Sequence, residues 1–256
     1  MKILALGDIV GQTTLPYLRQ KLWQYRSAVG ADLVIANGEN VTDIHGMSTE
    51  NAAELLDCGV DVITTGNHVW NCRDAYALLD ESPVILRPAN YPPSCPGEGA
   101  KTVRVGGWRV LCLNVMGEVY MEALGSPFDT LDRILERERG KYDFSVLDIH
   151  AEATSEKLAL ARYFDGRINV IFGTHTHVPT ADARVLPGGT GYITDLGMSG
   201  PTDGIIGTDA QCVIDRFRTK MPQRFRLAGG PIEVMGALFE LDNDSRRAIS
   251  VTRVSF

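Results

Sequence analysis

The run "GTHTHVPT" at residues 173–180 places His175 and His177 one residue apart, directly behind the apolar stretch "INVIF". The chain has only five histidines, so a pair here is a local concentration of imidazole. Other ligand-capable side chains stand in comparable places: Asp8 after "ILALG", Glu39 and Asn40 after "DLVIANG", Asn67 and His68 after "VDVITTG", and His150 closing "FSVLDIH". Asp8 and Glu39 offer carboxylates, His150, His175 and His177 imidazoles, and Asn40 and Asn67 amide oxygens. No cysteine takes part. Such a donor set suits Mn²⁺, Fe or Zn²⁺ in a reactive centre better than a thiolate-rich structural zinc site. It has too many members for one tetrahedral ion, whereas a carboxylate shared between two ions accommodates them. Two ions about 3.5–4 Å apart clamp the attacking and leaving oxygens of a displacement at phosphorus.

Each residue alone has a plainer reading. A single histidine is usually structural, a strand-end aspartate often caps a helix, and asparagine after glycine is a common turn residue. Coincidence at five strand ends outweighs those readings. In parallel α/β sheets, ligands bind outside the carboxyl ends of the strands, so residues about 30 apart in sequence are expected to meet at one edge.

The elements that must position them emerge from periodicity. Apolar runs at 3–8, 32–40 and 60–68 alternate with helical stretches at 14–30, 48–59 and 71–81. In the first stretch Leu15, Leu18, Leu22, Tyr25 and Val29 keep helical spacing. Ser48 or Thr49 is a cap for the second and Gly59 its end, and Asn71 is an N-cap for the third. Three β-then-α units argue for a parallel, helix-covered sheet. Residues 82–100, with five prolines, read as loop, and 102–115 as a hairpin on Gly106-Gly107. A helix opens at Ser126-Pro127, a strand covers 144–150, a helix 154–164 and a strand 168–177. The remainder reads as antiparallel strands. No repeat, low-complexity tract or linker divides the chain, so 1–256 reads as a single α/β domain.

Composition narrows the function. With 44% hydrophobic and 22% charged residues the chain is ordinary globular protein. A net charge of −7 argues against long nucleic acid as partner, because phosphate backbones are met by basic faces; a small phosphate ester is compatible. No window approaches the ~18 apolar residues of a membrane span, and the apolar run 3–6 is too short for a signal segment. The scattered cysteines, without a CxxC, point to a reducing compartment, and a cytoplasmic location is the expectation. Rival motifs fail. "GDIVGQTT" lacks the phosphate-loop lysine, "GMSGP" is not a nucleophile elbow, and His-x-His falls too late, with too few βα units, for a barrel amidohydrolase.

"GD" at 7–8, "GNH" at 66–68, the lone strand-end His150 and "GTHTH" at 173–177 resemble, in order, the motifs of the calcineurin-like metallophosphoesterases. The departures are specific: Val10 stands where that family usually has a metal-binding histidine, "NGEN" replaces an aspartate motif, and Thr174 precedes His175. With the later "DLGMSGPTDGIIG" they make the chain similar, over nearly its full length, to the YmdB-type branch of bacterial cyclic-nucleotide phosphodiesterases. The resemblance implies a metallophosphoesterase-like layered α/β sandwich, helices flanking mixed β-sheets. It implies two metal ions per chain, Fe or Mn ahead of Zn. Glu39 would bridge them, Asp8, His177 and Asn40 would hold the first, and Asn67, His150 and His175 the second. His68 would be the catalytic histidine, a general acid or a donor to phosphoryl oxygen. The implied reaction is in-line attack of a metal-bound hydroxide on a small phosphodiester, 2′,3′- or 3′,5′-cyclic nucleotides included. No base pocket is named by the sequence. His45 and Thr42 read as surface loop, and "GPTDGIIG" (200–207) equally as a rim loop or an ordinary turn. The alternatives are a regulatory nucleotide-binding protein with a metal site and little turnover, or a metal-dependent hydrolase of another bond. Homo-oligomer formation is left open.

Overall fold

From the N-terminus, strand and helix alternate: β1 (Lys2–Leu6), β2 (Asp8–Ile9), α1 (Leu15–Val29), β3 (Leu33–Asn37), α2 (Thr49–Asp57), β4 (Val62–Thr64) and α3 (Ala75–Glu81). Then come β5 (Ala100–Val105), β6 (Trp108–Met116), α4 (Pro127–Arg137), β7 (Phe144–His150), α5 (Thr154–Tyr163) and β8 (Val170–Thr174). The last part adds β9 (Arg184–Val185), β10 (Gly191–Ile193), β11 (Met198–Pro201), β12 (Gly204–Ile205), β13 (Thr208–Asp209), α6 (Ala210–Thr219), β14 (Ile232–Glu233), β15 (Met235–Leu241) and β16 (Ala248–Ser255). The computed structural model describes every residue from Met1 to Phe256.

Two mixed sheets stack face to face. One has the order β16-β15-β1-β3-β4, the other β5-β6-β7-β8-β10-β9. Within them β1, β3 and β4 run parallel, as do β6, β7, β8 and β10. Antiparallel strands complete the edges.

Alternation along each strand assigns its two faces to different cores. Ile3 and Ala5, Leu33 and Ile35, and Ala237 and Phe239 pack against Val110, Cys112, Val146 and Phe172 between the sheets. Their neighbours Leu4, Leu6, Val34 and Ala36 turn outward onto Leu15, Leu18, Leu22 and Leu55 of α1 and α2. On the far side Leu111, Leu147 and Ile171 meet Leu131 and Leu135 of α4 and Leu160 of α5. The result is four layers, helix–sheet–sheet–helix, the sandwich architecture expected from the sequence.

Local signals account for most boundaries. Ser48 caps α2 by accepting from the Asn51 N–H, and Ser126 caps α4 with Pro127 next in line. Gly106 and Gly107 both take positive φ between Val105 and Trp108, as a two-residue hairpin turn demands. Three expectations need correction. Helix α3 starts at Ala75 behind Asp74 and not at Asn71, because the Asn71 N–H closes a turn onto the His68 carbonyl and Asp74 is tied to α2, accepting from the N–H and hydroxyl of Thr49. The C-terminal strands are not uniformly antiparallel: β10 joins β8 in parallel and β11 joins β2 in parallel. Helix α6 interrupts the tail that reads as strands in the sequence. Val213, Ile214 and Phe217 share one helical stripe, Val213 buried and Ile214 and Phe217 exposed, so the helical signal is present in the sequence, behind the Asp209 cap. No helix is long and apolar enough to cross a membrane.

Candidate metal centre

The carboxyl ends of the parallel strands of both sheets converge on one rim, and every residue singled out in the sequence lies there. Asp8 is fixed by the β2–β11 pairing, where it sits opposite Met198. Glu39 and Asn40 come just after β3, and Asn67 and His68 just after β4. His150 is the last residue of β7, in register with Thr174, so His175 emerges beside it. Gly66 brings the β4 loop close: a Cβ there would stand 2.1 Å from the His150 ring, so no larger residue fits.

The side chains form two groups that meet at Glu39. In the first, His150 Nε2 lies 3.0 Å from Glu39 Oε1, 2.9 Å from Asn67 Oδ1 and 3.1 Å from His175 Nδ1. Donor atoms of Glu39, His150 and His175 all fall within 4.8 Å of one another. In the second, His177 Nε2 is 3.7 Å from Asp8 Oδ1 and 3.4 Å from Asn40 Nδ2, which is also 3.4 Å from Glu39 Oε1. His68 flanks the pair: its backbone N–H donates to Glu39 Oε2 at 3.0 Å, and its Nδ1 is 2.7 Å from Asn40 Oδ1.

Second contacts orient the rings. His177 Nδ1 donates to the Ile206 carbonyl at 3.0 Å, leaving Nε2 toward Asp8. His150 Nδ1 donates to Thr174 Oγ1 at 2.9 Å, which in turn donates to Asp148 Oδ1 at 2.7 Å. That relay leaves Nε2 of His150 facing the cluster. Burial raises the Asp148 carboxyl to about 6, against the pull of His150 and the two threonine hydroxyls.

The electrostatics of this pocket are those of a cation site. Burial works to raise the Glu39 carboxyl, but His150 and His68 hold it well below the usual range. Burial raises Asp8, opposed by His177 and His150. His150 has to overcome burial too, and Glu39, Asp8 and Asp148 push it up to about 9. His175, desolvated and beside His150, falls to about 3 and stays neutral. Asp8 Oδ1 is fully buried and accepts no hydrogen bond. A bare carboxylate oxygen in such a place is costly, and a bound cation satisfies it. The donor set fits metal, with one adjustment. Asn40 turns its amide NH₂ toward Glu39 and His177 and its oxygen toward His68, so acting as a ligand requires the nearly isosteric amide to flip.

Holding the histidine loop has a cost of its own. His175 and His177 have φ of 97° and 64°, left-handed values that strain any side chain other than glycine. A buried ion pair fastens the segment. Lys157 Nζ donates to the Thr174 carbonyl and to Asp195 Oδ2, each at 2.7 Å, and both residues are 1% exposed or less. Asp195 Oδ2 also accepts from the N–H and hydroxyl of Thr176. Removing one partner strands the other charge, so Lys157→Met is expected to destabilise the fold by about 3–5 kcal/mol. Denaturant unfolding checks this; an unchanged midpoint would show that the pair does not clamp the loop.

Residues the sequence did not single out, Glu152, Thr208 and Phe225, line the cavity of about 340 Å³ above the cluster together with Ile206. Glu152 Oε2 lies 3.2 Å from His175 Nε2; its place two residues after His150 was the available signal. His45 is an exposed loop residue, as expected, and it also forms part of the cavity wall, its ring centroid 4.1 Å from that of His68. The glycine-rich "GPTDGIIG" is a rim loop, through Ile206.

A sandwich of two mixed sheets flanked by helices, with acidic and imidazole groups at one rim, is the metallophosphoesterase fold. A family model described as YmdB-like protein matches residues 4–254, and the chain belongs to that family. It is 38% identical over 254 residues to a 2′,3′-cyclic-nucleotide 2′-phosphodiesterase of Bacillus subtilis (strain 168), covering 99% of this chain and 96% of the relative. Among solved structures it resembles a hypothetical protein from Thermus thermophilus, with TM-score 0.94, 41% identity, and 100% and 99% of the two chains covered. It also resembles a novel phosphatase from Mycoplasma pneumoniae, with TM-score 0.94, 32% identity, and 100% and 93% covered.

Proposed function

We propose that this chain is a metal-dependent phosphodiesterase that hydrolyses small phosphodiesters, cyclic nucleotides among them, at a two-ion centre. The observation that carries the reading is the division of one buried cluster into two donor groups joined by Glu39. Asp8, Asn40 and His177 would hold one cation, and Asn67, His150 and His175 the other, with Glu39 between them. The oxygen–imidazole set accepts Fe, Mn or Zn alike; the family resemblance alone puts Fe and Mn ahead of Zn. The Bacillus relative, named for 2′,3′-cyclic-nucleotide cleavage, supports the substrate class.

Bound cations would supply Lewis acidity, polarising the phosphodiester and acidifying water near neutral pH. The protein's own residues do the rest. Glu39 spaces the two groups, and its Oε2 fixes the His68 backbone. With the Asn40 amide flipped toward the metal, its NH₂ donates to His68 Nδ1. The imidazole proton then sits on Nε2, where it can pass to the leaving alkoxide or bond a phosphoryl oxygen. A purely nucleotide-binding protein has no use for a donor so placed, which favours turnover over the binding-only alternative.

Stripping metal with a chelator is expected to stop hydrolysis of 2′,3′-cyclic AMP and to lower the melting temperature, since ions that bind only the folded state stabilise it. Adding Mn²⁺ should restore both. Activity or melting indifferent to chelation and reloading would sink the metal assignment.

A further inference from the structure

The cavity above the cluster is open on one side. Ile44 and Phe225 line it and also line a second hollow of about 710 Å³, so the two spaces meet across these side chains. At about 340 Å³, the inner space lies near the small end of the roughly 300–1,000 Å³ typical of ligand sites. Much of its wall is the cluster itself, which suits a phosphodiester and its sugar. Whatever else the substrate carries has the outer hollow to enter.

The chemistry of that hollow is specific. The Arg216 guanidinium carbon lies 5.5 Å from the centroid of the Phe225 ring and anchors it while the ring borders both spaces. Gln211 and Gln223 bring side-chain amides, each with a donor and an acceptor end. The Gln211 NH₂ is engaged with Asp215 Oδ1 at 2.8 Å, which leaves its carbonyl oxygen to accept. Arg224 and Arg226 are offset by Asp43 and Asp215, and Arg226 is further paired with Asp209 at 3.5 Å. With its charges balanced, the hollow has little to attract a second phosphate. An aromatic face with two neutral amides, in a lining whose charges cancel, matches a nucleobase.

We propose that this hollow is the base subsite: the base of a cyclic mononucleotide stacks on Phe225 and presents its edge to Gln211 and Gln223. The proposal rests on the phosphodiesterase reading of the adjoining cluster and names its specificity-determining residues. Stacking on an aromatic side chain is tolerant of base identity, so the site selects nucleosides over base-free esters more than one base over another.

The test is calorimetric binding of adenosine 3′-monophosphate, which cleavage of the 2′ bond would leave, against glycerol 2-phosphate, which has no base. Mn²⁺-loaded wild type, Phe225→Ala and Phe225→Tyr are compared. Wild type and the tyrosine variant should bind the nucleotide about tenfold or more tightly than the base-free ester, and the alanine variant should narrow that ratio to within about twofold. Equal binding of both ligands by wild type, or a ratio unmoved in Phe225→Ala, would overturn the proposal. Turnover of 2′,3′-cyclic AMP is measured separately. Base preference without turnover would remove the hydrolytic reading and uphold the subsite.

Discussion

Replacing Glu39 with glutamine is expected to lower turnover of 2′,3′-cyclic AMP by about three decades or more and to deplete the protein of metal. Glutamine matches the size of glutamate but removes the negative charge and exchanges one oxygen for a donor. Oε1 stands 3.0 Å from His150 Nε2 and 3.4 Å from His68 Nδ1 and Asn40 Nδ2, so it serves both donor groups at once. Without it the cluster keeps one buried carboxylate, Asp8, and loses the link between its halves. Bound metal contributes several kcal/mol of transition-state charge stabilisation, and each 1.36 kcal/mol is about a decade in rate. The check is metal content and turnover on one preparation. A variant that keeps both its metal and its rate would show that Glu39 bridges nothing.

The second large effect is expected at His68. Alanine there should cost about 10²–10⁴ in kcat, the usual contribution of a positioned proton donor, while metal content stays at the wild-type level. The side chain touches the cluster only through its Nδ1 contacts with Asn40 and Glu39, and its Glu39 anchor is a backbone N–H that the substitution leaves in place. Loss of metal from His68→Ala would make the residue a ligand or a structural support. A rate within a few-fold of wild type would remove it from the chemistry.

Much of the site was legible in the sequence because parallel strands impose a rule: residues just past the carboxyl ends of neighbouring strands lie on a common rim. Asp8, Glu39, Asn67, His150 and His175 come from β-strands of different sheets, yet the rule needs no knowledge of which sheet is which. The sandwich itself was legible through resemblance, and the alternation of Ile3, Leu4, Ala5 and Leu6 agrees with it. Less local features were hidden. Lys157 reads as an exposed helical lysine, and only its meeting with Asp195, 38 residues on, buries it. Phe225 and His45 lie in segments without periodicity, where nothing in spacing says that they reach the cavity. Parallel pairing of β10 and β11 was missed because each strand has four residues or fewer, too short for a pattern to show direction.

The most direct test of the two-ion claim is the rate of 2′,3′-cyclic AMP hydrolysis by metal-free protein titrated with Mn²⁺, at protein concentrations well above the dissociation constants. The two-ion centre predicts a rate that climbs and levels off at two equivalents per chain. A plateau at one equivalent, or no hydrolysis at any ratio, would contradict it.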